Sequence, residues 1–242
     1  QKRLSLIMKK LSQKESLELA VNTLQKRQLA VNKNNTLVFI ALAISFILST
    51  LIKPYPLSWA VKMLPIFFLL AIAWQKIKLL PTAQQATSHK LFLLGLLFSS
   101  CGDFLLDFNR EAWFIFGLAA FFIAHVFYLL SLQPFNNIQN NKQKVAILTT
   151  YIGFGLLMFM LLVDGLGELF IPVLAYMTIL LLMALATVFT HRTNVWLILG
   201  GISFVISDSL IGFDKFNSAI FQNQLWVMST YYFAQYALVK GY

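Results

Sequence analysis

Eight apolar runs limit how this chain can fold: residues 36–52, 57–74, 88–108, 112–132, 144–163, 169–190, 195–213 and 221–240. A helix needs roughly 20 mostly apolar residues to cross the hydrocarbon layer of a bilayer, and each run is close to that length. The apolar residues are continuous rather than alternating with period two, which argues against membrane strands. Connections between the runs are short, so no separate soluble domain fits after residue 36. The sequence predicts an all-α, polytopic membrane protein of about eight transmembrane helices. A basic leader over 1–35 precedes a single membrane domain over 36–240.

The formal net charge of +10 is explained by topology. Apart from Lys62, the Lys and Arg residues outside the spans or at their ends divide unequally: fifteen fall on one side of the bilayer and three, Lys53, Arg110 and Lys215, on the other. The positive-inside rule then puts both termini on the cytoplasmic side. No aromatic-and-basic platform outside the membrane offers stacking surfaces to bases, which excludes nucleic acid as a partner; membrane lipid is the expected one. Loops rich in Asn and Lys suggest a bacterial inner (cytoplasmic) membrane. In the leader, Leu4, Ile7, Leu11, Leu17, Val21, Leu24 and Val31 have a loosely helical spacing. Two readings stand for it: a helix lying on anionic lipid, or a solvated cytoplasmic segment. A single cysteine, Cys101, rules out an intrachain disulfide. Oligomeric state is not legible.

The second half of the chain echoes the first. Gly102-Asp103-Phe104-Leu105-Leu106-Asp107-Phe108 closes the third run, and Ser207-Asp208-Ser209-Leu210-Ile211-Gly212-Phe213 closes the seventh. Phe121-Phe122-Ile123-Ala124-His125 in the fourth run is matched by Tyr231-Tyr232-Phe233-Ala234-Gln235 in the eighth. Leu64-Pro65-Ile66 is matched by Ile171-Pro172-Val173. The offsets are 105, 110 and 107 residues, with the landmarks in the same order. The pattern predicts two parallel four-helix halves, 36–132 and 144–240, whose interface is a natural place for a site.

Charged side chains inside a span cost about 2.5–3.5 kcal/mol each near the bilayer centre, so those present need a reason. Lys62, Asp103 and Asp208 lie well inside the runs. Lys62 is about five residues into an inward helix, and both aspartates are about five residues before the ends of outward helices. At about 1.5 Å per residue the three share a layer roughly 8 Å below the outer surface, with Tyr176 at similar depth. Asp107 and Glu111 fall at the mouth. Lys62 either snorkels outward or pairs with an aspartate. Two carboxylates beside an ammonium would have coupled titrations, the condition for splitting general acid from general base. His125 lies deeper, where contact with Asp103 would need a bent helix or a water chain. Tyr128, Tyr231, Tyr232 and Gln235 offer further hydrogen bonds along the fourth and eighth helices, and Ser207 adjoins Asp208. No metal is expected: His89 and His191 sit at cytoplasmic helix ends, too far from the aspartate layer to complete a three-histidine zinc site.

These residues carry a resemblance. Lys62-Met63-Leu64-Pro65, Ser99-Ser100-Cys101-Gly102-Asp103-Phe104-Leu105-Leu106, the stretch from Phe116 to Tyr128, Pro172-Val173-Leu174-Ala175-Tyr176, Phe204-Val205-Ile206-Ser207-Asp208-Ser209 and Thr230-Tyr231-Tyr232-Phe233-Ala234-Gln235 resemble the YhhN-like family, the lysoplasmalogenases, over roughly residues 40–240. The resemblance implies a membrane hydrolase without cofactor. Its substrate would be a lysophospholipid, whose vinyl ether bond is cleaved to a fatty aldehyde and a glycerophospho-ethanolamine or -choline. Asp103 and Asp208 would be the catalytic pair, with Lys62 holding an aspartate or binding lipid phosphate. Which acid donates and which acts as base stays open. A proton-coupled small transporter, for which acids between repeats are also typical, and a non-catalytic lipid-binding protein are the rival readings.

Overall fold

The computed structural model describes residues 33–79, 87–109, 111–135, 137–138 and 140–242. Both readings of the leader, over residues 1–32, and the charge at Arg110 lie outside the described residues. The chain divides into two compact units, 1–41 and 42–242. In the first, residues 33–41 are helical.

Among the described residues there are eight α-helices: α1 (Lys33–Ile52), α2 (Ser58–Leu79), α3 (Thr87–Phe108), α4 (Phe114–Ser131), α5 (Asn141–Leu162), α6 (Phe170–Phe189), α7 (Val195–Phe216) and α8 (Asn223–Gly241). The expected all-α polytopic membrane protein is what the chain forms. Seven helices, α1 to α7, are long and apolar enough to cross a membrane. α8 does not reach that apolarity, because Asn223, Tyr231, Tyr232 and Gln235 are built into it. All four are buried, so its polar side chains face protein rather than lipid. A helix that contributes to a buried site is less apolar than one that faces lipid along most of its length.

Within the second unit, α3 packs on both α2 and α4, and α7 packs on both α6 and α8. Between these groups α4 lies against α6 and α8 against α2.

Small side chains and hydroxyls set the close approaches. Ser203 Oγ donates to the Thr230 carbonyl at 2.8 Å, and Ser207 Oγ to the Val227 carbonyl at 3.2 Å. These bonds tie α7 to α8 in the manner of polar contacts between membrane helices. At the other end of the pair, Asn194 caps α7 by accepting from the Trp196 and Leu197 amides. Its Nδ2 donates to the Gly241 carbonyl at 2.8 Å and so anchors the end of α8. Gly102 lets α4 approach α3, since a Cβ there would lie 2.5 Å from the Phe121 ring. The residue that follows it is Asp103.

The orientation read from charge makes a direct prediction. The exposed Asn137 and Ser218 follow an outward-to-inward and an inward-to-outward helix, respectively. In a Cys101→Ser background, Ser218→Cys should react with an impermeant maleimide in intact cells, and Asn137→Cys only after permeabilisation. Equal labelling of both in intact cells would refute the orientation.

Candidate active site

The expected side chains come together as two separate groups, one around each aspartate. Asp103 on α3 is almost fully enclosed, its side chain 2% exposed. Lys62 Nζ on α2 lies 3.3 Å from its Oδ1, and Tyr231 Oη on α8 donates to its Oδ2 at 2.6 Å. Lys62 therefore turns inward to an aspartate instead of snorkelling. Tyr232 Oη donates to the Lys62 carbonyl at 2.8 Å and fixes the backbone that carries the ammonium. Behind Tyr231, Gln235 Nε2 donates to the phenol oxygen at 3.3 Å and Gln235 Oε1 accepts from Tyr128 Oη at 2.8 Å. Tyr128 and Ser99 hydroxyls lie 3.4 Å apart. This chain of buried groups holds the Tyr231 hydroxyl in one orientation.

The second group is built around Asp208 on α7. Tyr176 Oη on α6 donates to Asp208 Oδ2. His125 Nε2 on α4 lies 3.2 Å from Tyr176 Oη and 3.4 Å from Asp208 Oδ2. Because the phenol gives its hydrogen to the carboxylate, its oxygen is left to accept from the imidazole. This favours the tautomer with hydrogen on Nε2. His125 Nδ1 is buried with no hydrogen-bond partner among the described residues, as suits a bare ring nitrogen better than an N–H. The Phe204 ring packs edge-on against both His125 and Tyr231, with centroids 4.7 and 5.6 Å away, and so lies between the two groups.

The groups share a plan. Each has a carboxylate, a phenol that donates to it, and a basic side chain beside it. Asp103 takes its base from α2 and its phenol from α8, while Asp208 takes its phenol from α6 and its base from α4.

Their surroundings differ. Asp208 and Tyr176 line a narrow cavity of about 60 Å³ whose other walls include Leu106, Phe121, Met177 and Leu180. Asp103 is absent from this lining. Lys62 and Asp107 line a neighbouring cavity, and Leu106 and Ile211 belong to the walls of both. Each of these two residues lies three positions after an aspartate, at equivalent points of the echo.

Three expectations need correction. Ser207 is spent on helix packing and does not reach the site. The aspartates do not share one depth along their helices: α7 continues to Phe216, eight residues past Asp208, or about 12 Å, against about 8 Å from Asp103 to the end of α3. His125 Nε2 lies 3.4 Å from Asp208 Oδ2, so the histidine serves Asp208 directly and not Asp103. Sequence reasoning also left the surroundings of Asp107 open. Its carboxylate is paired with Lys53 and accepts from Ser58 Oγ at 2.5 Å. Lys53 and Ser58 carried no signal beyond flanking α2.

Comparison with known proteins bears on what this arrangement does. The YhhN family matches residues 57–242. The chain is 30% identical over 189 residues to mouse (Mus musculus) lysoplasmalogenase TMEM86B, covering 77% of this chain and 76% of that one. It is 32% identical over 126 residues to the lysoplasmalogenases of Mycobacterium bovis and Mycobacterium tuberculosis, covering 50% of this chain. The matched stretch spans about half, 48%, of the length of those mycobacterial relatives. No solved structure matches the chain.

Proposed function

Because this chain belongs to the YhhN family, we propose that it is a lysoplasmalogenase, hydrolysing the vinyl ether bond of a lysoplasmalogen to a fatty aldehyde and a glycerophospho-ethanolamine or -choline. The observation that carries this reading is the Asp208–Tyr176–His125 cluster opening onto an apolar cavity. An alkenyl chain suits such walls, and an acid at the wall can meet the double bond.

The chemistry needs a proton at carbon, then water, then a proton at oxygen. With Oδ2 accepting from Tyr176, Asp208 carries a proton on Oδ1 and gives it to the enol carbon, and the double-bond electrons form the new C–H bond. The adjacent carbon and the ether oxygen now share a positive charge, which the new carboxylate faces, as paired carboxylates face the cation in glycoside hydrolysis. Water adds to that carbon and returns a proton to Asp208, leaving a hemiacetal. The hemiacetal C–O bond then breaks as Asp208 gives its proton to the departing glycerol oxygen and takes the hydroxyl proton in return, with Tyr176 and His125 holding its carboxyl in place, and the aldehyde is released. Atoms balance as substrate plus one water. Asp103, committed to Lys62 and Tyr231, supplies the second negative charge near the developing cation. The orientation read from charge puts this chemistry in the outer half of the bilayer.

Purified protein should release fatty aldehyde, read by mass spectrometry, from a lysoplasmenyl-ethanolamine, and nothing from the saturated 1-O-alkyl analogue. Fatty acid from a 1-acyl lysolipid would instead make it an ester hydrolase. Solute or proton uptake into liposomes without any cleaved lipid would make it a transporter.

A further inference from the structure

Asn223 opens α8, and its side-chain oxygen is buried with no hydrogen-bond partner among the described residues. The residue is only 7% exposed. A buried acceptor without a donor is a standing cost to a fold, and such a group facing a cavity suits a ligand that brings the donor. Asn223 lines the cavity that also holds Lys62, Asp107 and Gln224. Asp107, Leu106 and Gln224 continue into a second, more open cavity with Lys53, Ser58 and Trp59. On the inner side, Leu106 and Ile211 are the wall shared with the Asp208 cavity.

From the mouth inward the order is fixed by these shared residues: an ion pair between Lys53 and Asp107, a lone acceptor at Asn223, an aliphatic wall, then the Asp208 carboxyl in an apolar cavity. A single-chain ether phospholipid has the same order of groups. It carries a zwitterionic head, a glycerol with a free hydroxyl at carbon 2, an ether oxygen and an alkyl chain.

We propose that the two joined cavities form the head and glycerol subsite of this enzyme. Asn223 Oδ1 accepts the hydroxyl at glycerol carbon 2, and Lys53 and Asp107 receive the phosphate and ammonium of the head. The pair is already made in the free protein, so a zwitterion meets both charges without leaving either one alone. A lipid acylated at carbon 2 has no hydrogen to give to Asn223 and adds a chain where the cavity is small. This would make the site selective for lysolipids. The assignment rests on the lysoplasmalogenase reading for its connection to chemistry but not for its test.

The test uses saturated 1-O-hexadecyl lipids, which carry no vinyl ether, and measures their binding to the purified full chain in detergent by calorimetry. Three probes are compared: the glycerophosphoethanolamine with its carbon-2 hydroxyl, the same lipid deoxygenated at carbon 2, and headless 1-O-hexadecylglycerol. The wild type should bind the first about tenfold more tightly than either of the others, the scale of one well-placed hydrogen bond. Asn223→Ala should abolish the hydroxyl preference and keep the head preference. Asn223→Asp, which keeps an acceptor, should retain the hydroxyl preference. The Lys53→Gln, Asp107→Asn double variant should do the opposite of Asn223→Ala, losing the head preference alone. Equal binding of all three probes by the wild type overturns the assignment whether or not any variant folds, and so does a full hydroxyl preference in Asn223→Ala. If the wild type shows both preferences yet releases no aldehyde from a vinyl ether lipid, the subsite stands and the lysoplasmalogenase reading falls.

Discussion

Asp208→Asn should reduce aldehyde release by roughly 10²–10⁴-fold, the range for loss of a positioned proton donor, with little change in how the protein folds. The substitution keeps the shape of the side chain, and an amide oxygen can still accept from Tyr176. What it removes is the transferable proton. Binding of an uncleavable alkyl ether lipid should survive, so the loss should appear in kcat and not in KM. Neighbours of Asp208 grade the effect. Tyr176→Phe removes the hydrogen bond that orients the carboxyl, and a loss of about 10–100-fold is expected. His125→Gln keeps a donor near Tyr176, so its loss should be smaller than that of Tyr176→Phe. Rates within twofold of wild type in Asp208→Asn would remove this residue from the mechanism. Full activity in Tyr176→Phe together with His125→Gln would leave Asp208 working alone.

The residues of the site were legible in the sequence because a charged or strongly polar side chain in an apolar run is expensive. Lys62, Asp103, Asp208 and His125 stand out on that ground, and the structure gives each a partner. Partnership itself was less legible, and the reason is local. The seventh apolar run stops at Phe213 because Asp214 and Lys215 follow, but the helix does not stop there. Backbone hydrogen bonding continues through both charges to Phe216. A depth counted from the end of the run put Asp208 too shallow and hid its contact with His125. The eighth helix shows the same limit from the other side. Its run reads as an eighth transmembrane segment, whereas buried Asn223, Tyr231, Tyr232 and Gln235 leave it less apolar than the other seven. Asn223 had no signal at all, since one Asn at a helix start reads as turn chemistry.

The other large effect concerns stability. Lys62 and Asp103 are both enclosed, with side chains 10% and 2% exposed, so removing one charge leaves the other buried without its counter-ion. Lys62→Met should destabilise the protein by about 3–5 kcal/mol, the usual cost of breaking a buried pair from one side. Asp103→Leu should cost a similar amount, and it also strands the Tyr231 hydroxyl that donates to the carboxylate. The pair as a whole is a different matter. Replacing both charges with apolar groups of similar size is often neutral for stability, so Lys62→Met combined with Asp103→Leu should recover most of either single loss. Thermal unfolding in detergent, followed by size-exclusion chromatography, measures the three variants against the wild type. Non-additivity of several kcal/mol is expected. Activity separates structure from chemistry. If the pair serves only to hold α2 against α3, the double variant should hydrolyse lipid as its recovered stability allows. If Asp103 faces the developing cation, the double variant should be stable and slow, because an apolar pair restores packing but supplies no negative charge to the transition state. A stable double variant with wild-type turnover would assign Asp103 to the scaffold and leave the reaction to Asp208 and its two neighbours.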